Sequence, residues 1–375
     1  MPEDAGAAAA SGDLARPFSA SCGQRLRFLT PMTGDADFTP TPNRDRAIWV
    51  TGRLNETLLE RLRPEIIELT AENRSPITVF INSSGGQSEV VRGILSLLTR
   101  TTSDDARSRI ITIAAPTAHS AAANLLSAGD FAIAFPESSL LYHGARFPPP
   151  NEKLTGEWGK IARTLPFFHE TAASLLAICS ARRFLFIVSA TRELFAEHRA
   201  ERGDPTLTDL DCFQALLRAK LSPAAGKVLD LAIHLFNSYQ ALLLQFRKRL
   251  RRGRRVTQEH LQKLMLHASI AFEYENRAGG PVWDGGLSEI SDHFFFLNNY
   301  FDVTRLCEWV RVRAEPMADE DPEAAYFLQF RVFFLALCRA LQEGENQITP
   351  MDAVWLGLID TISPRECRAG AHRSS

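Results

Sequence analysis

Two adjacent glycines follow an apolar run in the stretch FINSSGGQ, residues 80–87. Because Gly85 and Gly86 carry no Cβ atom, the main chain at this point can adopt positive φ and present its N–H groups to an approaching anion or oxyanion. A tight connection between a strand and a helix explains the glycine pair equally well. A phosphate-binding P-loop is excluded, since neither a Gly-Lys-Ser/Thr ending nor a GxGxxG pattern is present.

Ser120 begins the alanine-rich stretch SAAANLLSAG, residues 120–129, which follows the apolar run RIITIAAP and a predicted turn. A serine at the start of a helix gains from the positive end of the helix dipole. The N–H group of Ala121 then lies beside its Oγ atom, where it can support a developing oxyanion. A helix N-cap is the more common role of such a serine, so a nucleophile is indicated only if a base lies near.

Two histidines are candidates for that base. His143 ends the apolar run SLLYH, and in a parallel α/β unit it emerges at the same edge of the sheet as Ser120. His119 directly precedes Ser120, but adjacent side chains in a turn generally point apart. We therefore expect His143 to act as the base and His119 to be a surface or supporting residue.

Short β-rich runs alternate with helical patterns between residues 45 and 145. This alternation predicts an α/β domain with a parallel sheet and right-handed crossovers. Long helical patterns follow the stretch RFPPPNEK. The runs are AIWVTG, NETLLERLRPEIIELTAE, ITVFIN, SEVVRGILSLLTR, RIITIAAP, SAAANLLSAG, FAIAFP and SLLYHGA.

Length and composition exclude several classes of protein. A chain of 375 residues with 45% hydrophobic and 23% charged residues is long enough for two or more domains with cores of their own. A formal net charge of −2 argues against a nucleic-acid binder. The six cysteines form no CxxC pair, which favours a reducing compartment, and no His/Cys/Asp/Glu cluster has the spacing of a metal site.

The N-terminal stretch MPEDAGAAAASGDLARP carries acidic residues where a signal peptide needs positive charge. No run reaches the 18 or so continuous apolar residues of a membrane span. These two features predict a cytoplasmic protein with a disordered leader.

Four motifs, in this order, resemble the proteolytic subunit of the Clp protease and its relatives in the Clp/crotonase superfamily. They are IWVTGRL, ITVFINSSGG, HSAAANLLSAGD and SLLYHGA. The stretch ITPMDAVWLGLID, residues 348–360, resembles the segment that closes the catalytic domain of these proteins. The resemblance implies a crotonase-type β/α spiral core.

The resemblance also implies roles for particular residues. Ser120 corresponds to the nucleophile and His143 to the general base, while the N–H groups of Gly86 and Ala121 correspond to the oxyanion hole. The glycine-rich approach to the nucleophile is here replaced by APTAHS, and Ala122 stands where the family usually has glycine.

Members of the family also have an acidic residue that orients the histidine and completes a Ser-His-acid triad. The identity of this acid in the present chain is less well defined. By alignment Glu345, in the stretch LQEGENQ, falls at the position of the family's aspartate. Glu343, an acid of the long insertion such as Asp209 or Asp211, or no acid at all remain open alternatives.

About 200 residues separate His143 from the closing segment, where the family has a modest helical handle. The apolar spacing of Val228, Ala232, Leu235, Tyr239, Leu242 and Phe246 predicts helices that pack as core or as an oligomer interface. The run RKRLRRGRR, residues 247–255, holds seven basic residues in nine. A solvated helix end is the favoured interpretation, and a docking patch for an acidic partner, an anionic membrane or nucleic acid is the alternative.

The sequence thus predicts a leader at 1–44, a Clp-like core at 45–150, an all-helical insertion at 151–340, a closing segment at 341–366 and a flexible tail at 367–375. The predicted function is a serine peptidase without cofactor or metal that acts on peptides or unfolded proteins. The resemblance implies a homo-oligomer or a mixed ring with a Clp-like paralogue, and an AAA+ ATPase as a possible partner. The alternative is a catalytically impaired pseudo-protease with a role in assembly or regulation.

Overall fold

The computed structural model describes residues 41–99, 108–146, 193–252 and 322–363, with single residues and short stretches between 169 and 191. The predicted leader up to residue 40, the tail, the phenylalanine-rich run HFFFLNNYF and the end of the basic run 247–255 lie outside the described residues.

Strands and helices alternate through the first part of the chain, as the sequence predicts. Each helix begins where an apolar strand has ended in polar residues, and the side chain of Asn55 caps the first helix by accepting a hydrogen bond from the N–H of Leu58 at 2.9 Å. The elements are β1 Ala47–Thr51, α1 Glu56–Glu72, β2 Ile77–Ser83, α2 Ser88–Leu98, β3 Ile110–His119, α3 Ala121–Ser127, β4 Phe131–Ala134 and β5 Ser139–Tyr142.

The strands form one sheet whose central path is parallel. Its order is β1, β2, β3, β4 and then β7, a short strand at Thr361–Ile362 near the end of the described chain. β5 pairs in parallel with the far end of β3 and antiparallel with β6, Asn346–Ile348. The predicted α/β class with a parallel sheet is confirmed.

β3 differs from the sequence prediction in its length. The sequence indicated a turn after Pro116, yet the strand continues to His119. Its first half pairs with β4 and its last three residues, from Thr117, pair with β5. A shift of register against β2 between Ile81 and Ser83 accompanies this change of partner. The only turn before the next helix is therefore at Ser120 itself.

The central strands bury side chains on both faces of the sheet, in agreement with their almost continuously apolar sequences. One face carries the main core, to which α1 contributes Leu62 and Ile66 and α2 contributes Ile94. On the opposite face of β3, Ile111 and Ile113 form a smaller buried cluster together with side chains of β4. The alternation along β3 follows from the two-residue period of a strand.

The later part of the described chain is mainly helical. It contains α4 Asp209–Lys220, α5 Pro223–Arg251 and α6 Pro322–Gln342. Val228, Ala232 and Tyr239 of the predicted apolar stripe of α5 are buried in the core. An aromatic cluster joins these helices and consists of Phe184, Phe213, Phe236, Phe330, Phe333 and Phe334.

None of the helices within the described ranges combines the length and the apolar character that crossing a membrane requires.

Arg183 ties the helical region to the sheet domain. Its guanidinium group donates to the carbonyls of Ser127 at 2.9 Å and Gly129 at 3.0 Å, at the end of α3. It also pairs with the carboxylate of Asp360 at 2.8 Å, which lies just before β7. All of these groups are buried, so the charge of Arg183 is compensated by several hydrogen bonds. These contacts of Arg183 hold the C-terminal end of α3, the helix that follows Ser120.

The chain returns to the sheet through β6 and the short helix α7, Pro350–Trp355. The carboxylate of Asp352 accepts hydrogen bonds from the backbone N–H of Ser222 at 2.9 Å and from its hydroxyl at 2.8 Å. The start of α5 is thereby anchored to the closing segment.

Candidate active site

Ser120 occupies a strained position between β3 and α3. Its φ of 57° and ψ of −127° lie in a region that residues with a Cβ atom rarely adopt, and in the described part of the chain no other non-glycine residue has positive φ. The backbone is held there because the N–H of Ser120 donates to the carbonyl of Leu141 at 2.7 Å. Strain of this kind occurs mainly where a side chain must be aimed for function.

The hydroxyl of Ser120 does not cap the helix. Ser120 stands at the N-cap of α3, but its side chain makes no capping hydrogen bond. None of the residues that the structure describes forms a hydrogen bond with its Oγ atom. The more common role of a serine at this position is therefore not the one seen here.

The lack of a side chain at Gly85 leaves space for the side chain of Ser120. A Cβ atom on Gly85 would lie 2.6 Å from the Cβ of Ser120 and 2.6 Å from the carbonyl oxygen of His119. Its φ is 91°, which a residue other than glycine avoids. The N–H of Gly85 is already used, since it donates to the hydroxyl of Ser83 at 3.0 Å.

Gly86 and Ala121 each present a free N–H group. The backbone around Gly86 is fixed by two hydrogen bonds, from the N–H of Leu54 to the carbonyl of Gly85 and from the N–H of Gln87 to the carbonyl of Leu54, both at 2.9 Å. No described residue accepts a hydrogen bond from the N–H of Gly86 or of Ala121. Two unused donors beside one hydroxyl are what an oxyanion hole requires.

His143 lies at the same edge of the sheet as Ser120. In the register of β3 with β5, His119 stands opposite Leu141, so His143 extends just beyond the end of β3. The Nδ1 atom of His143 lies 2.7 Å from the carbonyl oxygen of Gly144. Because a carbonyl oxygen can only accept, Nδ1 carries the proton and Nε2 is left with a free lone pair. This is the tautomer of a general base.

Gly144 is itself tightly held. Its N–H donates to the carbonyl of Gln342 at 2.9 Å. A Cβ atom at Gly144 would lie 2.5 Å from Nε2 of His169, which also hydrogen-bonds the carbonyl oxygen of Ala145 at 3.2 Å. The helical region therefore positions the carbonyl group that orients His143.

His119 has a different environment. Its Nε2 atom forms a hydrogen bond with the hydroxyl of Ser139 at 2.8 Å. Partial burial, and to a smaller extent the nearby His143, lower the pKa of His119 below the usual value for histidine. The ring is half-buried and hydrogen-bonded to Ser139.

The candidate acids lie away from the imidazole of His143. Glu345 forms an ion pair with Arg146 at 2.7 Å, and the two side chains are 61% and 55% exposed. Asp209 pairs with Arg199, while Asp211 caps the start of α4. Within the described ranges no carboxylate, including that of Glu343, lies at ion-pair distance from His143. The structure thus brings together four of the five predicted site residues and leaves Glu345 outside.

One cleft of about 830 Å³ contains the predicted residues. Its lining includes Ser120, Ala121, His143 and Gly86. Charged side chains at its borders come from Arg53, Glu89 and Arg146. Among the described residues no group of three or more His, Cys, Asp or Glu side chains is arranged to hold a metal ion.

Gly144 and Asn124 line the cleft and were not predicted as site residues from the sequence. Gly144 orients His143 through its carbonyl, and the sole signal was a glycine directly after the histidine in SLLYHGA. Asn124 also lines the cleft, and it is the only polar residue in the stretch AAANLL.

Part of the chain is similar to a known protein family. Residues 36–154 match the family model described as Clp protease. The matched segment contains Gly86, Ser120, Ala121 and His143, and it ends before the helical region. No curated protein matches the chain. The segment is therefore Clp-protease-like, and its parallel α/β core fits the Clp/crotonase-type fold.

Proposed function

We propose that this Clp-protease-like protein is a serine peptidase that hydrolyses peptide bonds through Ser120 and His143. The observation that carries the proposal is the strained Ser120, whose unengaged hydroxyl shares a cleft with His143 and with the free N–H groups of Gly86 and Ala121. The match to the Clp protease family over this segment supports the same activity.

The proposed reaction begins when a substrate brings the hydroxyl of Ser120 within hydrogen-bond distance of His143. Oγ attacks the carbonyl carbon of the peptide while Nε2 of His143 takes the hydroxyl proton. The tetrahedral oxyanion is bound by the N–H groups of Gly86 and Ala121. Collapse breaks the C–N bond, and the proton passes from Nε2 to the leaving amine. A water molecule, deprotonated by His143, then hydrolyses the acyl-enzyme.

Gly144 takes the place of a third catalytic group in this proposal. Its carbonyl oxygen keeps the proton of His143 on Nδ1, which is one task of the acid in a triad. A neutral carbonyl stabilises the transient imidazolium less than a carboxylate does, since charge-assisted hydrogen bonds are the stronger ones. We therefore propose a Ser120–His143 dyad oriented by the backbone.

Covalent labelling tests the proposal. A fluorophosphonate probe transfers its phosphonyl group to the Oγ of an activated serine with loss of fluoride. We expect the purified chain to be labelled at Ser120, as located by tryptic mass spectrometry, because His143 can accept the hydroxyl proton. The Ser120→Ala variant is expected to show no labelling.

A control variant tests whether the labelling is specific to Ser120. Ser139→Ala removes a hydroxyl that is bonded to His119, outside the proposed chemistry, and should leave labelling of Ser120 in place. A chain that folds normally but is not labelled would favour the pseudo-protease alternative. That alternative has one observation behind it, the lack of a carboxylate at His143 among the described residues.

Glu345→Gln distinguishes a dyad from a triad. Because the carboxylate of Glu345 pairs with exposed Arg146, its neutralisation is expected to change kcat/KM for a fluorogenic peptide by less than about threefold. A loss of about 10⁴-fold would instead restore Glu345 as the acid that orients His143. Glu343→Gln is the matched control from the same loop.

The remaining predictions extend beyond the site. Peptide or unfolded-protein substrates, a homo-oligomer or mixed ring and an AAA+ ATPase partner follow from the resemblance alone. The structure is of one chain, so these stay predictions.

A further inference from the structure

Asn124 is a largely buried residue in the wall of the cleft. It lies on α3, one helical turn after Ser120, and only 9% of the residue is exposed. Its side-chain amide forms no hydrogen bond with any residue that the structure describes. The exposed remainder faces the cleft, since Asn124 is among the residues that line it.

The other buried polar side chain of α3 provides a contrast. The hydroxyl of Ser127 is hydrogen-bonded to the hydroxyl of Tyr142 at 2.9 Å, in the interior. Every other residue of α3 is an alanine or a leucine. The amide of Asn124 is instead open to the cleft, where it has no partner among the described residues, whereas buried polar groups are normally paired. Asn124 is thus the exception in this helix, and its place in the cleft indicates a partner that arrives with the substrate.

The position of Asn124 on the helix directs its amide to the reacting centre. Residues four apart lie on the same face of a helix, and the Cα–Cβ bond tilts toward the N-terminal end. The side chain of Asn124 therefore covers the turn that begins with Ser120 and Ala121. A bound substrate has its scissile carbonyl at the N–H groups of Gly86 and Ala121. The substrate side chain on the acyl side of that carbonyl then lies close to Asn124.

We infer that Asn124 is a specificity-determining residue that selects a neutral carboxamide side chain, glutamine or asparagine, on the acyl side of the scissile bond. The inference rests on the proposed peptidase function. An amide offers both a donor and an acceptor, and another amide satisfies both at once. A carboxylate would leave the Oδ1 atom of Asn124 unpaired, and an ammonium group would leave its Nδ2 atom unpaired.

The charges of the cleft agree with a neutral ligand. Its cations, Arg53 and Arg146, are exposed at the border, and Arg146 is already paired with Glu345. Within the described lining no charged side chain is buried beside Asn124. A charged substrate side chain would lose its hydration at this point without a counter-charge, which is costly.

The test compares fluorogenic peptides that differ only in the residue before the cleaved bond. Glutamine and leucine are the matched pair, since they have similar volumes. For the unaltered chain we expect kcat/KM to be higher for the glutamine peptide by about tenfold or more, because leucine leaves the amide of Asn124 unpaired. Asn124→Leu is expected to abolish or reverse this ratio.

Three further measurements make the outcome unambiguous. Gln87→Leu removes another amide that lines the cleft and should leave the glutamine-to-leucine ratio unchanged. Asn124→Asp, which turns the amide into an acceptor only, should lower the ratio and serves if Asn124→Leu does not fold. Fluorophosphonate labelling of Ser120 in each variant reports the catalytic centre independently of the peptide.

Equal rates for the two peptides, or a leucine preference, in a chain that is labelled at Ser120 would overturn the inference and leave the peptidase function standing. The same holds if Asn124→Leu lowers both rates by the same factor, since the amide would then bind the substrate backbone or the oxyanion. Absence of labelling would overturn both the proposed function and the inference.

Discussion

His143→Ala is expected to lower kcat for a fluorogenic peptide by about 10⁴-fold or more while the chain remains folded. The reason is that Nε2 of His143 is the base with a free lone pair, held in that state by the carbonyl of Gly144 at 2.7 Å. Without it the hydroxyl of Ser120 must lose its proton to water. Stopped peptide-cleavage assays with an HPLC readout cover this range of rates.

His119→Ala is the matched control, because it removes an imidazole one residue from Ser120. The ring of His119 is bound to Ser139 at 2.8 Å and does not belong to the described lining of the cleft. We expect a loss of less than about tenfold, the effect of a change in a supporting residue. If the two variants exchange these results, His119 is the base and the assignment of His143 is wrong. Circular dichroism of both variants shows whether the fold is kept.

The alternation of strands and helices was predictable because each element carries its own periodic signal. β2 and β3 are continuous apolar runs that end in polar or turn-forming residues, and α2 has an apolar face of Val91, Ile94 and Leu98. Such local patterns depend on neighbours in sequence, and the parallel pairing follows from the crossovers. The end of β3 was not predictable in this way, because its last residues are strand only through pairing with β5.

In the cleft, too, residues carried by short sequence motifs were predictable, whereas contacts between distant parts of the chain were not. Ser120, His143 and Gly86, which line the cleft, were predicted to lie together from short motifs, each at the end of a strand. The partner of His143 was not, because a backbone carbonyl has no signature in the sequence. Alignment placed Glu345 at the position of an acid, but its side chain pairs with Arg146 across a contact that only the tertiary structure forms.

Gly86→Ala is expected to lower kcat by about 10²–10³-fold with little change in KM, the effect of losing one oxyanion donor. A Cβ atom at this position would overlap the carbonyl oxygen of Leu54 and lie 2.9 Å from its carbonyl carbon. The overlap is with backbone, which the hydrogen bonds of Leu54 with Gly85 and Gln87 hold in place, so the peptide of residue 86 must move and carry its N–H away from the cleft.

Gly52→Ala is the control that distinguishes the displacement of the peptide of residue 86 from the effect of an unfavourable φ alone. Gly52 also has positive φ, 79°, but a Cβ atom there would meet nothing within 4 Å. We expect Gly52→Ala to lose about 1 kcal/mol of stability from the unfavourable φ, and Gly86→Ala to lose more because of the overlap with the backbone of Leu54, both seen as a fall in Tm, whereas only Gly86→Ala loses activity. A Gly86→Ala chain that keeps its kcat within a factor of about three would show that the N–H of residue 86 does not bind the oxyanion. Because the attack of Ser120 on a fluorophosphonate also develops charge on an oxygen, labelling should slow in Gly86→Ala and not in Gly52→Ala, which gives the same comparison without a peptide substrate.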